Sequence, residues 1–376
     1  MMQPFGYFCH HQGRGHAERC AAIAHALPSS RPMTVFCARA DIFPSLPRNV
    51  EVVEIPSLFE RTHPTPAMLD AAETPETMHC VPLGWRGVRE AVAAITGWCA
   101  TADPALFVVD VSAELCQLLR IASVPVVAVV QHGRRDDPGH LMAYRSASGI
   151  LAPYSQALEQ PERPDWMRAK TAWFGGLGVE AAQHTGDPKT LRARLGLPAD
   201  RPVHLVIAGG GGTGTPSAPL TMAARAVPEA TWITIGAVSS EWHETGVGNL
   251  IHRGWVDNPG DYIAAADLIV SSTGNTTVHS VAATGTPWLV VPEWRYFDEQ
   301  MHKARALARC GAAALRETWP AAPAAWREAL DEARALDPEN RRALVGADAA
   351  AEAARWLDTL AADLWRMDTL EMEAAE

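Results

Sequence analysis

Short apolar runs alternate along the chain with Ala- and Leu-rich stretches of helical period. The runs at Phe5–Cys9, Thr34–Ala38, Leu106–Val111 and Val124–Val130 predict strands, with a shorter extended piece at Val50–Ile55. Helical stretches at Ala17–Leu27, Val88–Ala100 and Glu114–Ile121 fall between them. Strands and helices in this order pack as a parallel sheet with helices on both faces. A second series begins with a strand at Val203–Ile207 and continues with strands at Thr231–Ile235, Leu268–Ser271 and Trp288–Val291. Its helices are predicted at Ala218–Ala226, Tyr262–Ala266 and Thr276–Ala283. Each half opens with a strand and a Gly-rich turn, so the chain reads as two similar Rossmann-like domains facing each other.

The domain boundaries this gives are 1–172 and 173–345, with a tail at 346–376. The linker falls near Phe174–Leu177 or in the approach 186–202. Ala-rich helices are predicted at Trp326–Arg334 and Arg342–Leu364. The second brings Trp356, Leu360 and Leu364 to one face, which predicts that it docks onto a domain. Residues beyond Met367 are expected to fray. The stretch Leu58–Leu83 is rich in Pro, Thr and Met and has little periodicity, so it reads as a long loop or irregular helices.

Composition narrows the function classes. The chain is 48% hydrophobic and 20% charged, enough to bury a core. Its net charge is −11, mostly from the second half, and it has no basic stripe, so nucleic acid is not an expected partner. No run of about 18 apolar residues predicts a membrane span. The opening MMQPFGYFCHHQGRGH lacks the basic and apolar regions of a signal peptide. Seven widely spaced cysteines without a CxxC pair read as free thiols in a reducing cytoplasm.

Four segments can carry chemistry. Gly13, Arg14, Gly15 and His16 follow the first strand, at the edge where open α/β sheets bind ligands. There His16 can serve as a base or be structural, and His11 can face the same loop. Asp110 ends the strand LFVVD, where it either caps the next helix or orients His16 as a carboxylate orients a histidine base. GGGGTG at 209–214 is Gly-rich but is no Walker loop, because no Gly-Lys-Ser/Thr follows. The turn Ser271–Thr277 opens a helix, where free N–H groups and hydroxyls suit a diphosphate or make a plain N-cap. Finally, Asp298, Glu299 and Gln300 stand side by side and can bridge sugar hydroxyls, with Trp294 or Tyr296 available to stack on a ring.

Together these segments resemble the two-domain GT-B glycosyltransferases, most closely the MurG-like and UDP-glucuronosyltransferase-like inverting group. GWVDNPGDYIAAADLIVSSTGNTTVHSVAATGTPWLVVP, followed by DEQMHKARALARCGAA, is similar to that group's donor-binding signature. The resemblance covers most of 203–315, the first loop and 106–145. It implies an α/β fold of the GT-B kind, with parallel sheets in two facing domains and a helical C-terminal tail. It implies that Thr273, Gly274, Asn275, Thr276 and Thr277 bind the donor diphosphate, with Gly211, Gly212 and Thr213 near the phosphates. By the same resemblance Asp298, Glu299 and Gln300 hold the donor sugar, and Gly254, Trp255 and Val256 touch the base. His16 becomes the catalytic base and Asp110 its partner. One position departs: where the group commonly has a Glu contacting ribose hydroxyls, this chain has Ser280. UDP is the default donor nucleotide, and a deoxythymidine diphosphate sugar fits the departure.

No Asp-x-Asp occurs, and Met301 stands where a retaining Glu-x7-Glu pattern would place its second Glu after Glu293. The resemblance therefore implies inverting transfer without metal or cofactor, from a nucleotide-sugar donor to a small-molecule or lipid-linked hydroxyl acceptor. Two alternatives stay open. GRGHAERCAAIAHAL also resembles the opening of the MurG-like hydrolase of pseudaminic acid biosynthesis, which uses water as acceptor. A non-catalytic nucleotide-sugar binding protein is the other. The long 56–100 segment argues for an organic acceptor. Its Met68, Leu69, Met78, Leu83 and Trp85 either line an apolar mouth or pack inside. Membrane contact is expected to be at most peripheral, at the inner face, with Arg86, Arg89, Arg134 and Arg135 as candidates to meet anionic lipid.

Overall fold

A computed structural model describes residues 2–179, 186–209, 214–239 and 246–367. The first sheet holds β1 (Phe5–Phe8), β2 (Met33–Cys37), β3 (Val50–Glu54), β4 (Leu106–Asp110), β5 (Val126–Val129), β6 (Gly149–Ala152) and β7 (Thr171–Trp173), in the order β3-β2-β1-β4-β5-β6-β7. The second holds β8 (Val203–Ile207), β10 (Thr231–Ile235), β12 (Leu250–His252), β13 (Leu268–Ser271), β14 (Trp288–Val290) and β15 (Ala314–Leu315), in the order β12-β10-β8-β13-β14-β15. A separate ribbon pairs β9 (Thr215–Pro216) with β11 (Val238–Ser239). All the pairings are parallel, and β1, β2 and β4 are buried on both faces, as continuous apolar runs require.

The helices that bear on function are α1 (Arg14–Ala26), α2 (Arg86–Ala102), α3 (Ala113–Ile121), α4 (Pro138–Ser146), α5 (Asn275–Thr284), α6 (Glu299–Arg309) and α7 (Ala349–Leu364). Helix α7 returns to the first sheet and packs against α1, burying Ala353, Ala354, Leu357 and Ala361. Trp356 and Leu360 join that contact, and a Cβ on Gly149 would meet both. Leu364, expected on the same face, is exposed. The tail beyond Met367, expected to fray, lies outside the described residues.

The chain crosses between the two sheets twice, and the crossings touch. The Gly346 N–H donates to the Gly175 carbonyl at 2.8 Å, and a Cβ on Gly175 would stand 2.2 Å from the Leu344 carbonyl.

Helix α4 and strands β6 and β7 were not anticipated from the sequence. PGHLMAYRS mixes polar and apolar residues without a clear period, and β7 is a half-buried three-residue edge. Segment 58–85 contains one short helix, Ala67–Asp70, and is otherwise without regular structure. Its Met68, Leu69, Met78 and Leu83 are exposed, so they do not pack inside, and Trp85 is half-buried. Among the described residues, no helix is long and apolar enough to cross a membrane.

Candidate active site

In each sheet the strand order reverses direction between two neighbours, β1 and β4 in the first and β8 and β13 in the second. Loops leaving the carboxyl ends of such a pair diverge and open a crevice. His16 follows β1 and Asp110 ends β4, whose register places Phe8 beside Val109. The topology thus brings together two side chains 94 positions apart. His16 Nδ1 lies 3.0 Å from Asp110 Oδ1. Asp110 is fully buried, and the next residue, Val111, takes a left-handed φ of 69°, a costly conformation for a β-branched side chain. Asp110 does not cap α3; Ser112 does, its hydroxyl accepting from the Leu115 N–H.

The structure adds two residues to this pair. Arg19, one turn after His16 on α1, donates from Nη2 to both oxygens of Asp110, at 2.8 and 2.7 Å, and from Nε to Oδ2 at 3.2 Å. The Tyr7 hydroxyl donates to the same Oδ2 at 3.2 Å. Burial pushes the Asp110 carboxyl up, but the Arg19 guanidinium and the His16 ring outweigh it and hold the carboxyl well below the usual carboxylate range. Asp110 is therefore ionised and acts as a fixed acceptor. Arg19 Nη2 also lies 3.0 Å from His16 Nδ1, so Nδ1 sits between Asp110 and Arg19. In the tautomer that donates Nδ1–H to Asp110, Nε2 keeps a lone pair for a substrate proton.

Beside this group His10 stacks on Phe59, with centroids 4.5 Å apart, and lies 5.4 Å from the His16 ring. Burial, with the neighbouring His16 and His11, pushes His10 down to about 3, so it is neutral at physiological pH. His11 is buried and its Nε2 lies 2.9 Å from Glu60. The first loop thus joins the long 58–85 segment through aromatic stacking and this contact.

The second domain presents the amino end of α5. Its N-cap, Gly274, offers no side-chain acceptor, and the first intrahelical bond runs from the Val278 N–H to the Gly274 carbonyl. The N–H groups of Asn275, Thr276 and Thr277 are therefore available to an anion. This end meets the first turns of α1 closely. A Cβ on Gly15 would stand 2.9 Å from Thr276 Oγ1, and that hydroxyl donates to Glu18 of α1 at 3.4 Å. Gln300 ties the turn to the next loop: its Oε1 accepts from the N–H groups of Thr273 at 3.3 Å and Glu293 at 2.8 Å. Lys303, buried, donates to Asn275 Oδ1 at 3.3 Å. Ser280, Val256 and Trp255 line a cleft of about 1550 Å³ between the domains, with Thr276, Thr277 and Arg14. Gly254, just before them, has a φ of 66°. Gly211, Gly212 and Thr213 lie outside the described residues.

Asp298 and Glu299 meet arginines of the first domain. Asp298 lies 3.4 Å from Arg134, and Glu299 3.4 Å from Arg135. The Arg134 N–H also donates to the Phe297 carbonyl at 2.7 Å, within a turn where Phe297 and Asp298 both have left-handed φ. Arg134 and Arg135 thus close the domains onto one another at this point, a role their charge alone did not reveal. Trp294 and Tyr296 are exposed and stack edge-on at 5.1 Å.

Residues 238–343 match the model of the glycosyltransferase family 28 C-terminal domain. A UDP-N-acetylglucosamine--N-acetylmuramyl-(pentapeptide) pyrophosphoryl-undecaprenol N-acetylglucosamine transferase from Salinibacter ruber is 31% identical over 41% of this chain and 44% of the relative. The protein of the same name from Leifsonia xyli is 29% identical over 53% of this chain and 54% of the relative. The chain thus spans about half the length of these curated relatives. Among solved structures, the glycotransferase of kitacinnamycin aligns with a TM-score of 0.65 at 16% identity, covering 95% of this chain and 98% of that one. Acinetobacter baumannii MurG aligns with a TM-score of 0.60 at 14% identity, covering 95% and 99%. The chain has the GT-B fold of the MurG-like and UDP-glycosyltransferase-like proteins, and the part of it that matches the glycosyltransferase family 28 C-terminal domain is residues 238–343.

Proposed function

We propose that this chain is a nucleotide-sugar glycosyltransferase that inverts the anomeric centre without a metal at the leaving group. The observation that carries this reading is the His16–Asp110 pair at the start of α1, whose neighbours Gly15 and Glu18 touch Thr276 at the amino end of α5. A histidine–carboxylate pair and a helix amino end with free N–H groups thus sit at one junction of the two domains. In the reaction, His16 Nε2 takes the proton of an acceptor hydroxyl as that oxygen attacks the anomeric carbon. General-base help of this kind is worth roughly 10²–10⁴-fold. The bond from the anomeric carbon to the diphosphate oxygen breaks, and the N–H groups of Asn275–Thr277 meet the departing charge. Asp110 fixes the His16 ring, and Gln300 ties the 273 and 293 loops together on the donor side.

The donor is a UDP-sugar, or a deoxythymidine diphosphate sugar in view of Ser280, and the acceptor is an organic hydroxyl compound. The exposed Met68, Leu69, Met78 and Leu83 favour an organic acceptor over water. Incubation with UDP- and dTDP-sugars and a panel of lipid-linked and aglycone acceptors, read by mass spectrometry and anomeric NMR, tests this. A glycosylated product of inverted configuration supports it. Free sugar released at the same rate with and without acceptors contradicts it in favour of the hydrolase, and nucleotide binding without turnover across the panel favours a binding protein.

A further inference from the structure

Outside the transfer chemistry, three side chains converge where the 58–85 segment meets the head of α4. His140 Nδ1 lies 2.5 Å from Asp137 Oδ2, and His79 Nδ1 lies 3.9 Å from Asp137 Oδ1. The two imidazole rings are 4.2 Å apart, and one potential ligand atom from each of the three residues lies within 4.8 Å of the other two. Two imidazoles and one carboxylate are the donor set of an open zinc site, with Zn–N near 2.0–2.1 Å and a fourth position for water. Tetrahedral ligand atoms at those bond lengths stand roughly 3.3 Å apart. The 3.9 Å separation would close, and the 2.5 Å one open, by less than about 1 Å each.

An N-cap paired with a histidine three residues on would account for Asp137 and His140 alone. It does not account for His79, which the fold places there with specific fittings. Glu114 Oε1 accepts from the backbone N–H groups of both His79, at 2.7 Å, and Cys80, at 2.6 Å. Gln117 Nε2 donates to the Thr77 carbonyl at 3.2 Å. Gly139 leaves room for the strand of loop above it: a Cβ there would stand 2.5 Å from the His79 nitrogen. Phe297 of the second domain covers the two rings, at 5.1 Å from His79 and 5.2 Å from His140. Arg135 reaches His140 Nε2 at 3.4 Å and is partly neutralised by Glu299.

We propose that His79, Asp137 and His140 bind a divalent cation of the zinc class, which fastens the 58–85 segment to α4 beside the Phe297 turn. The ion sits apart from the 273–277 turn and organises the acceptor side of the cleft. Its fourth position is open.

The test uses the full chain, stripped with a chelator and titrated with zinc and with cobalt(II). The expected result is one equivalent of zinc per chain by calorimetry and elemental analysis. The cobalt form should show weak visible d–d bands without a thiolate charge-transfer band. His79→Ala and His140→Ala should each weaken binding at least tenfold. His79 lies in an irregular, partly exposed segment, so the unaltered melting temperature of metal-free His79→Ala serves as the folding control. No stoichiometric binding, unchanged affinity in His79→Ala, or a thiolate band pointing to one of the seven cysteines would each overturn the proposal.

Discussion

Arg19 grips both carboxylate oxygens of Asp110, so the residue that orients His16 is already paired with a full positive charge. Both groups are buried, and removing one leaves the other unpaired in the interior. Arg19→Met is expected to cost about 3–5 kcal/mol of stability. The double variant Arg19→Met/Asp110→Asn should lose less than the sum of the single losses, by more than about 1 kcal/mol. Urea unfolding of the four proteins measures the coupling, and strict additivity would show that the pair is not a unit.

Gly15 lets the start of α1 and the 273–277 turn approach to contact distance. A methyl group there meets Thr276 Oγ1 at 2.9 Å, so Gly15→Ala must push the domains apart or displace the threonine. Turnover should fall by about tenfold or more, since catalysis depends on close alignment of donor and acceptor. The melting temperature should stay within a few degrees of wild type. Combining Gly15→Ala with Thr276→Ala should restore part of the rate; no restoration would place the cost elsewhere.

Ser280 lines the cleft on the second turn of α5, at the position where the proposed donor site would place the ribose. Ser280→Glu is expected to raise the preference for UDP over dTDP by about tenfold, because a hydrogen bond to a hydroxyl discriminates against its absence. Thermal-shift titration with both nucleotides gives the ratio. An unchanged ratio would remove this position from nucleotide selection.

Several buried histidines are held neutral. Burial pushes His279 down to about 3 and His204 to about 4, and His10 lies near 3 for the reasons given above. Both nitrogens of His279 lack partners in the fold. An unfolded histidine takes up its proton near pH 6.5, while these folded ones do not until pH 3–4. Stability should therefore fall as pH drops below about 6.5, at up to roughly 1.4 kcal/mol per pH unit for each such histidine. His279→Met removes one contribution and should flatten the slope of melting temperature between pH 6.5 and 4. An equally steep slope in that variant would contradict the assignment.

The two-sheet plan and the His16–Asp110 pair were legible in the sequence because both follow from strand ends. A run such as LFVVD marks a buried parallel strand, and the residue at its carboxyl end points to the crevice. Arg19 was not legible, since a charged residue inside a helix ordinarily faces solvent, and only the packing of α1 under the linker glycines buries it. A Cβ on Gly178 would stand 3.0 Å from the Arg19 backbone. Arg134 and Arg135 read as surface charge for the same reason: their partners, Asp298 and Glu299, lie in the other domain. The exposure of Met68, Leu69, Met78 and Leu83 also ran against composition, because a segment without period gives no sign of which side faces the core.

If His16 is the base, the donor binds independently of it. Calorimetry with the nucleoside diphosphate and steady-state turnover, both on His16→Ala, test this together. Donor affinity should stay within about twofold of wild type while turnover falls at least about a hundredfold, the scale of general-base catalysis. Turnover close to wild type in that variant would remove His16 from the mechanism, and with it general-base transfer at this junction.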